Sequence, residues 1–156
     1  MASAQGTTPC GAGAIWWDKK KTYVNAIANE LFLSATAHLA NRPTTLNPAS
    51  HYLSLAKSSW SWFQASGLIN SRHTINDGLD KTTCKNNNGT VWSYNQGVIL
   101  GGLVALSKAS NSDQSYISTA KSIADAALAA LTDENGILHD PCEPNCGGDG
   151  TQFKGV

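Results

Sequence analysis

The chain has 156 residues, 41% of them hydrophobic and 14% charged, and its 11 basic and 11 acidic side chains leave no formal net charge. The length fits one domain, the composition is not that of a disordered chain, and the balanced charge gives no hold on a polyanion, so no nucleic acid partner is expected. A surface rich in Ser, Thr and Asn suits partners read by neutral hydrogen bonding and stacking, of which sugars are the obvious class.

Residues 1–14 are rich in Gly, Ala, Ser and Thr and are expected to be irregular. Ile15-Trp16-Trp17-Asp18 follows; if it is extended, the two tryptophans face opposite ways and at most one points to a cleft. Lys19-Lys20-Lys21 is short and isolated and reads as a solvated edge. Val24, Ile27, Leu31, Ala35 and Leu39 recur at helical spacing and predict a first helix over about 22–40. Within it Asn25 and Asn29 share a face and are poor helix formers; internal hydrogen bonds and a ligand-facing role are both open readings. Asn41-Arg42-Pro43 ends the helix. Asn47 as N-cap and Pro48 as first helical residue open a second helix to about residue 66. Tyr52, Leu55, Ala56, Ser59, Trp60 and Phe63 form one face of it, and Gly67 is its C-cap.

Residues 67–90 make a long connection containing Ile75-Asn76-Asp77-Gly78 and Cys84. A loop of this length is functional or disordered as a rule, and its cysteine argues for order. A third helix is expected over 93–109. It is entered through Trp92, Ser93, Tyr94, Asn95 and Gln96 and then becomes an apolar run broken by Gly97, Gly101 and Gly102. A helical glycine costs about 1 kcal/mol relative to alanine, so three of them predict close approach of neighbouring backbones. A fourth helix over 113–131 carries the stripe Ile117, Ala120, Ile123, Ala124, Ala127, Leu128 and Leu131, and Asn135-Gly136 ends it.

Four cysteines stand at 10, 84, 142 and 146. Zinc would want two close Cys/His pairs, whereas only Cys142 and Cys146 are close, with His139 just before them. Disulfides fit better, and Cys142–Cys146 with Cys10–Cys84 uses every cysteine, though spacing alone leaves the connectivity open. Asn88-Gly89-Thr90 is an N-glycosylation acceptor pattern in a polar loop. Together these point to a secretory route. Met1 to Thr8 lacks the charged start and apolar core of a signal peptide, and the tail Phe153-Lys154-Gly155-Val156 turns apolar, so the chain is expected to be a piece of something longer.

An internal repeat sets the architecture. Tyr52-Leu53-Ser54-Leu55-Ala56-Lys57-Ser58 matches Tyr116-Ile117-Ser118-Thr119-Ala120-Lys121-Ser122, Asn29 aligns with Asn95, and Gly67-Leu68-Ile69 with Gly136-Ile137-Leu138. Each unit is an inner helix, a turn, an outer helix, a glycine stop and a loop. The prediction is an all-α fold of tandem αα-hairpins, about 22–66 and 93–131, within a single partial domain over 1–156.

Ile15-Trp16-Trp17-Asp18, Tyr23-Val24-Asn25-Ala26-Ile27-Ala28-Asn29-Glu30-Leu31-Phe32, Ile75-Asn76-Asp77-Gly78, Trp92-Ser93-Tyr94-Asn95-Gln96-Gly97 and Phe153-Lys154-Gly155 occur in one order. In this the chain resembles glycoside hydrolase family 76, the endo-1,6-α-mannanases, and in particular its fungal secreted and cell-wall members. The resemblance implies an (α/α)6 barrel, of which this is the middle portion, a mannan substrate, no cofactor or metal, and retaining double displacement by two adjacent aspartates. Such chemistry needs two carboxylates about 5–5.5 Å apart. The chain has no Asp-Asp pair; in the family that pair precedes the Ile15-Trp16-Trp17-Asp18 segment. Asp133-Glu134, the only adjacent acidic pair, ends an outer-type helix and reads as solvated. No catalytic residue is therefore assigned.

The resemblance does imply sugar-site roles for Asp77, Trp92, Tyr94, Asn95, Gln96, Asn29 and Trp17, while the role of Lys154 stays open. Against each stands a bland reading: a turn for Asp77, core packing for Trp92 and Tyr94, helix-to-helix hydrogen bonds for Asn29 and Asn95. The expectation is a secreted or cell-wall mannanase segment inactive on its own. A non-catalytic mannan-binding module and a self-associating helical array are the alternatives.

Overall fold

The computed structural model describes residues 5–42, 48–148 and 150. Among the described residues four helices carry the fold: α1 Ala26–Ala40, α2 Ala49–Ala65, α3 Ser93–Ala109 and α4 Gln114–Leu131. A two-stranded antiparallel sheet joins β1 Val24–Asn25 to β2 Gly78–Leu79, with Val24 opposite Leu79 and Asn25 opposite Gly78. The hairpins α1/α2 and α3/α4 lie side by side, with α1 packed on α3 and the outer helices α2 and α4 behind them. Leu33, Phe63, Leu68, Ile75, Ile99, Leu103, Leu106 and Ile123 fill the core between the layers, each fully buried. A side chain of this size contributes about 1.5–3 kcal/mol on burial. The predicted helical-hairpin architecture is the one observed.

Several boundaries and faces differ from the sequence reading, each for a physical reason. The first helix starts at Ala26, because Val24 and Asn25 pair with β2 and the Asn25 side chain caps the helix by accepting from the Ala28 amide at 3.3 Å. Its buried face runs through Ala26, Asn29, Glu30, Leu33, Thr36, Ala37 and Ala40, whereas Leu31 and Leu39 of the predicted stripe are 50% and 40% exposed. Pro48 takes the N-cap position of α2 and not its first helical turn; Asn47 lies outside the described residues, as do Lys154 and the rest of the Phe153-Lys154-Gly155 segment. α4 stops at Leu131, and Asn135-Gly136 forms a separate tight turn in which Thr132 bridges Leu138. Among the three α3 glycines only Gly102 meets a neighbouring backbone, with a Cβ built there lying 3.4 Å from the Ser34 Cα. Gly97 and Gly101 face open space.

The cysteines form two disulfides, Cys10–Cys84 and Cys142–Cys146, and none is free. The first ties the N-terminal segment to the long loop. That loop is ordered by amides: Asn76 donates to the Gly89 carbonyl at 2.6 Å and accepts from Asn70 and Asn86 at 2.9 and 3.0 Å.

The two hairpins share a second device that corrects the predicted repeat register. Asn29 accepts from the Ile15 amide at 2.9 Å and donates to the Ile15 carbonyl at 3.2 Å and to the Asn25 carbonyl at 2.8 Å. Gln96 accepts from the Ile75 amide at 2.9 Å and donates to the Ile75 carbonyl at 3.0 Å and to the Trp92 carbonyl at 2.9 Å. Each inner helix thus uses the amide of its fourth residue to clamp the backbone of the extended segment that precedes it. Asn29 corresponds to Gln96, one residue beyond the Asn95 suggested by the sequence.

Candidate functional site: an aromatic pocket around Asp77

The short sheet decides what stands at the entrance of α1. Pairing Asn25 with Gly78 carries Asp77 beside the first turn of the helix, where its carbonyl accepts from the Ala26 amide at 2.8 Å. Asp77-Gly78 is thereby the lead into a strand and not a turn pair. Gly78 is required for close approach: a Cβ there would collide with the Tyr23 hydroxyl and ring. Tyr23 lies across this gap and donates to Asp77 Oδ2 at 2.5 Å, while Asn87 donates to the Tyr23 oxygen at 3.0 Å. The Asp77 carboxyl also faces the Tyr94 hydroxyl and acts on it electrostatically. Burial first, then Asp77, pushes the Tyr23 hydroxyl above its ordinary range; burial and then the Asp77 and Glu30 carboxyls do the same to Tyr94. Both phenols therefore stay protonated donors at physiological pH.

These groups line a pocket of about 430 Å³ with Trp17, Asn25, Ile27 and Leu31. Trp17 is 54% exposed and offers an open indole face, while its neighbour Trp16 turns to the core and donates to the Thr7 carbonyl at 3.2 Å. The tryptophans face opposite ways as expected of an extended segment. A larger groove of about 740 Å³ runs between residues 72–91 and the end of α4. Arg72, Thr74, Asn88, Thr90 and a row of alanines line it, with no aromatic wall and no carboxylate among the described residues, so its chemistry is poorer.

Three of the sequence-derived candidates, Asp77, Tyr94 and Trp17, come together in the pocket. Trp92 stacks on Tyr94 from behind, with ring centroids 6.2 Å apart and planes 12° from parallel. Asn29 and Gln96 are buried and spent on the backbone clamps, and Asn95 is fully buried. None of these three amides lines the pocket. The sequence reading missed Tyr23, Ile27, Leu31 and Asn87, and it left Asn25 open between a ligand-facing role and internal hydrogen bonds. Tyr23 and Ile27 carried a signal, in that both fall inside the quoted motif around Asn25; what it lacked was the strand pairing that brings this motif to Asp77. Asp133-Glu134 is the solvated pair expected: Glu134 is exposed, and Asp133 accepts from the Asn135 and Ile137 amides of its own turn.

Side-by-side αα-hairpins with a pocket at the entrance of their inner helices define a segment of an α/α-toroid fold. The sequence profile described as Glycosyl hydrolase family 76 matches residues 1–156. The chain belongs to that family. It is 24% identical over 165 residues to the mannan endo-1,6-alpha-mannosidase DFG5 of Saccharomyces cerevisiae, covering 100% of this chain and 35% of the relative. It is 26% identical to the mannan endo-1,6-alpha-mannosidase DCW1 of Candida albicans, covering 99% and 36%. Among solved structures, Dfg5 from Chaetomium thermophilum in complex with glucosamine superposes with a TM-score of 0.73 at 22% identity, over 88% of this chain and 33% of that one. The Lin0763 protein from Listeria innocua gives 0.75 at 29% identity, over 90% and 38%. The chain thus spans about a third of the length of these relatives.

Proposed function

We propose that this chain forms one wall of the substrate cleft of a retaining glycoside hydrolase acting on α-1,6-linked mannan, secreted or held at the cell wall, and that the chain by itself binds mannan without cleaving it. The observation that carries the reading is the pocket chemistry: an open indole, an apolar wall and one carboxylate held by Tyr23 and faced by Tyr94. An aromatic face stacks on the apolar face of a pyranose. A fixed carboxylate accepts charge-assisted hydrogen bonds from neighbouring hydroxyls. Among the described residues Asp77 is the pocket's one lining carboxylate, since the neighbouring Glu30 is sealed from solvent. Retaining hydrolysis needs two carboxylates facing the bond, so turnover requires groups that this pocket does not supply. Cys10–Cys84, Cys142–Cys146 and an exposed Asn88 in its acceptor triplet support an oxidising, secretory environment, with Asn88 available as the glycan acceptor.

The test is incubation with linear α-1,6-mannan alongside calorimetry with its oligosaccharides. Binding without release of reducing ends is the expected result. Wild-type-like turnover would overturn the non-catalytic part, and no binding would overturn the whole. Leu31, Leu39 and Val104, exposed along α1 and α3, favour self-association as a second reading. A concentration-independent monomer by sedimentation argues against it.

A further inference from the structure

Glu30 is a buried ionisable group beside the pocket that the proposed sugar contacts leave unused and, unlike the buried Asp140, which the Ser93 amide and hydroxyl hold, its side chain has no hydrogen bond among the described residues. It sits on α1 three residues after Ile27 and one before Leu31, both of which line the pocket, but its own side chain is turned inward and is fully buried. Among the described residues neither carboxyl oxygen has a hydrogen-bond partner. The charged and titratable groups that act on it or on its neighbours come from the elements around it: Asp77 from the segment leading into β2, Tyr94 from α3, Asp140 from the segment after α4, which acts on Tyr94 and is held by Ser93, and Tyr23 from the segment before β1, which reaches it through Asp77. From α2 the packed face presents Ala56, Ser59, Trp60 and Phe63, none of them charged. Among the described residues no lysine, arginine or histidine forms an ion pair with it.

An isolated carboxylate in such a place is strongly disfavoured and takes up a proton instead. We propose that Glu30 is a positioning residue of this pocket: a neutral carboxylic acid sealed behind Asp77, which leaves Asp77 as the pocket's single negative group and keeps the α1 wall closed against α3. The inference rests on the sugar-site reading of the pocket. Burial, and then the charge on Asp77, hold the Glu30 carboxyl well above the usual carboxylate range. Ionisation would set a second, unpaired negative charge behind Asp77 and press the wall carrying Ile27 and Leu31 away from Tyr94. The pocket would then lose its ligand on the alkaline side.

Glu30→Gln tests this, because the amide keeps the size and cannot ionise. With linear α-1,6-mannooligosaccharide as the probe, both proteins bind equally in acid. Above the Glu30 midpoint the wild type loses roughly tenfold in affinity per pH unit, following its binding-competent fraction, while Glu30→Gln stays level. Parallel pH profiles overturn the proposal. A second measurement is independent of sugar: the Glu30 carboxyl carbon is followed by NMR against pH in the wild type and in Asp77→Asn. The midpoint is expected above the ordinary carboxylate range and lower in Asp77→Asn. An ordinary midpoint, or one that ignores the substitution, overturns the coupling. If no oligosaccharide binds at any pH, the sugar reading fails and takes the pocket role with it, while the NMR titration decides the Glu30–Asp77 pair by itself.

Discussion

The Tyr23 hydroxyl donates to Asp77 Oδ2 at 2.5 Å across 54 residues of sequence, and the contact joins the entrance of the first hairpin to the loop after it. Tyr23→Phe removes the donor and leaves the ring. A hydrogen bond to a charged group is worth about 1.5–3 kcal/mol. The variant is expected to lose stability toward the lower end of that range, because Asp77 is partly solvated. Its mannooligosaccharide affinity should fall as well, since the carboxylate is no longer fixed. Urea denaturation and calorimetry read the two effects; unchanged values in both would detach Tyr23 from the site.

Gly78 is fixed by space and not by backbone freedom. A Cβ there collides with Tyr23, which cannot back away without releasing Asp77. Overpacking of this kind costs about 1–3 kcal/mol. Gly78→Ala is expected to be destabilised by that amount and to weaken sugar binding along with Tyr23→Phe. In the double variant the two losses should add to less than their sum, because both act on one contact.

The amide clamps predict a local signature. Gln96→Leu leaves the buried Ile75 amide and carbonyl without their partner, and each orphaned group costs about 1–3 kcal/mol. Hydrogen exchange should show the Ile75 amide losing protection while Ile15, held by Asn29, keeps its own. Equal loss at both positions would mean that the hairpins are not clamped separately.

The turn after α4 carries a pH dependence of definite sign. His139 stands between Glu143 at 3.0 Å and Asp133 at 3.3 Å, and those hydrogen bonds raise its pKa. A raised folded-state value means that the stabilisation is fully present below the unfolded-state value, about 6.5, and is lost as pH rises through the folded-state value. The melting temperature should therefore fall from mildly acidic to mildly alkaline pH, and His139→Gln should flatten that slope. A wild-type slope that survives the substitution would place its origin elsewhere.

How far the sequence could be read follows from range. The helices, the hairpin order and Gly67 just past the end of α2 were legible, because periodicity and capping act within a few residues. The family motifs named Asp77, Tyr94 and Trp17 without placing them together. What joins them is a two-residue strand pairing, too short to leave an alternating pattern. The face of α1 was misread because Leu31 and Leu39 are apolar yet exposed, while Asn29 and Glu30 are polar yet fully buried. Hydropathy sees side-chain type, and only the packing shows that Asn29 has a backbone to hold. The repeat register slipped by one residue for the same reason: identity favoured Asn95, whereas the clamp is made by Gln96.

The central claim is that sugar binds against Trp17 and Asp77. Its most direct measurement is an indole NMR titration of the chain with linear α-1,6-mannotetraose, since each of the five tryptophans reports separately. The Trp17 signal is predicted to shift and saturate, with Trp60 and Trp62 still, and Asp77→Ala is predicted to weaken the response about tenfold or more, as expected for the loss of one charge-assisted contact. A Trp17 signal that stays fixed at saturating sugar, or a response that Asp77→Ala leaves untouched, would contradict the account.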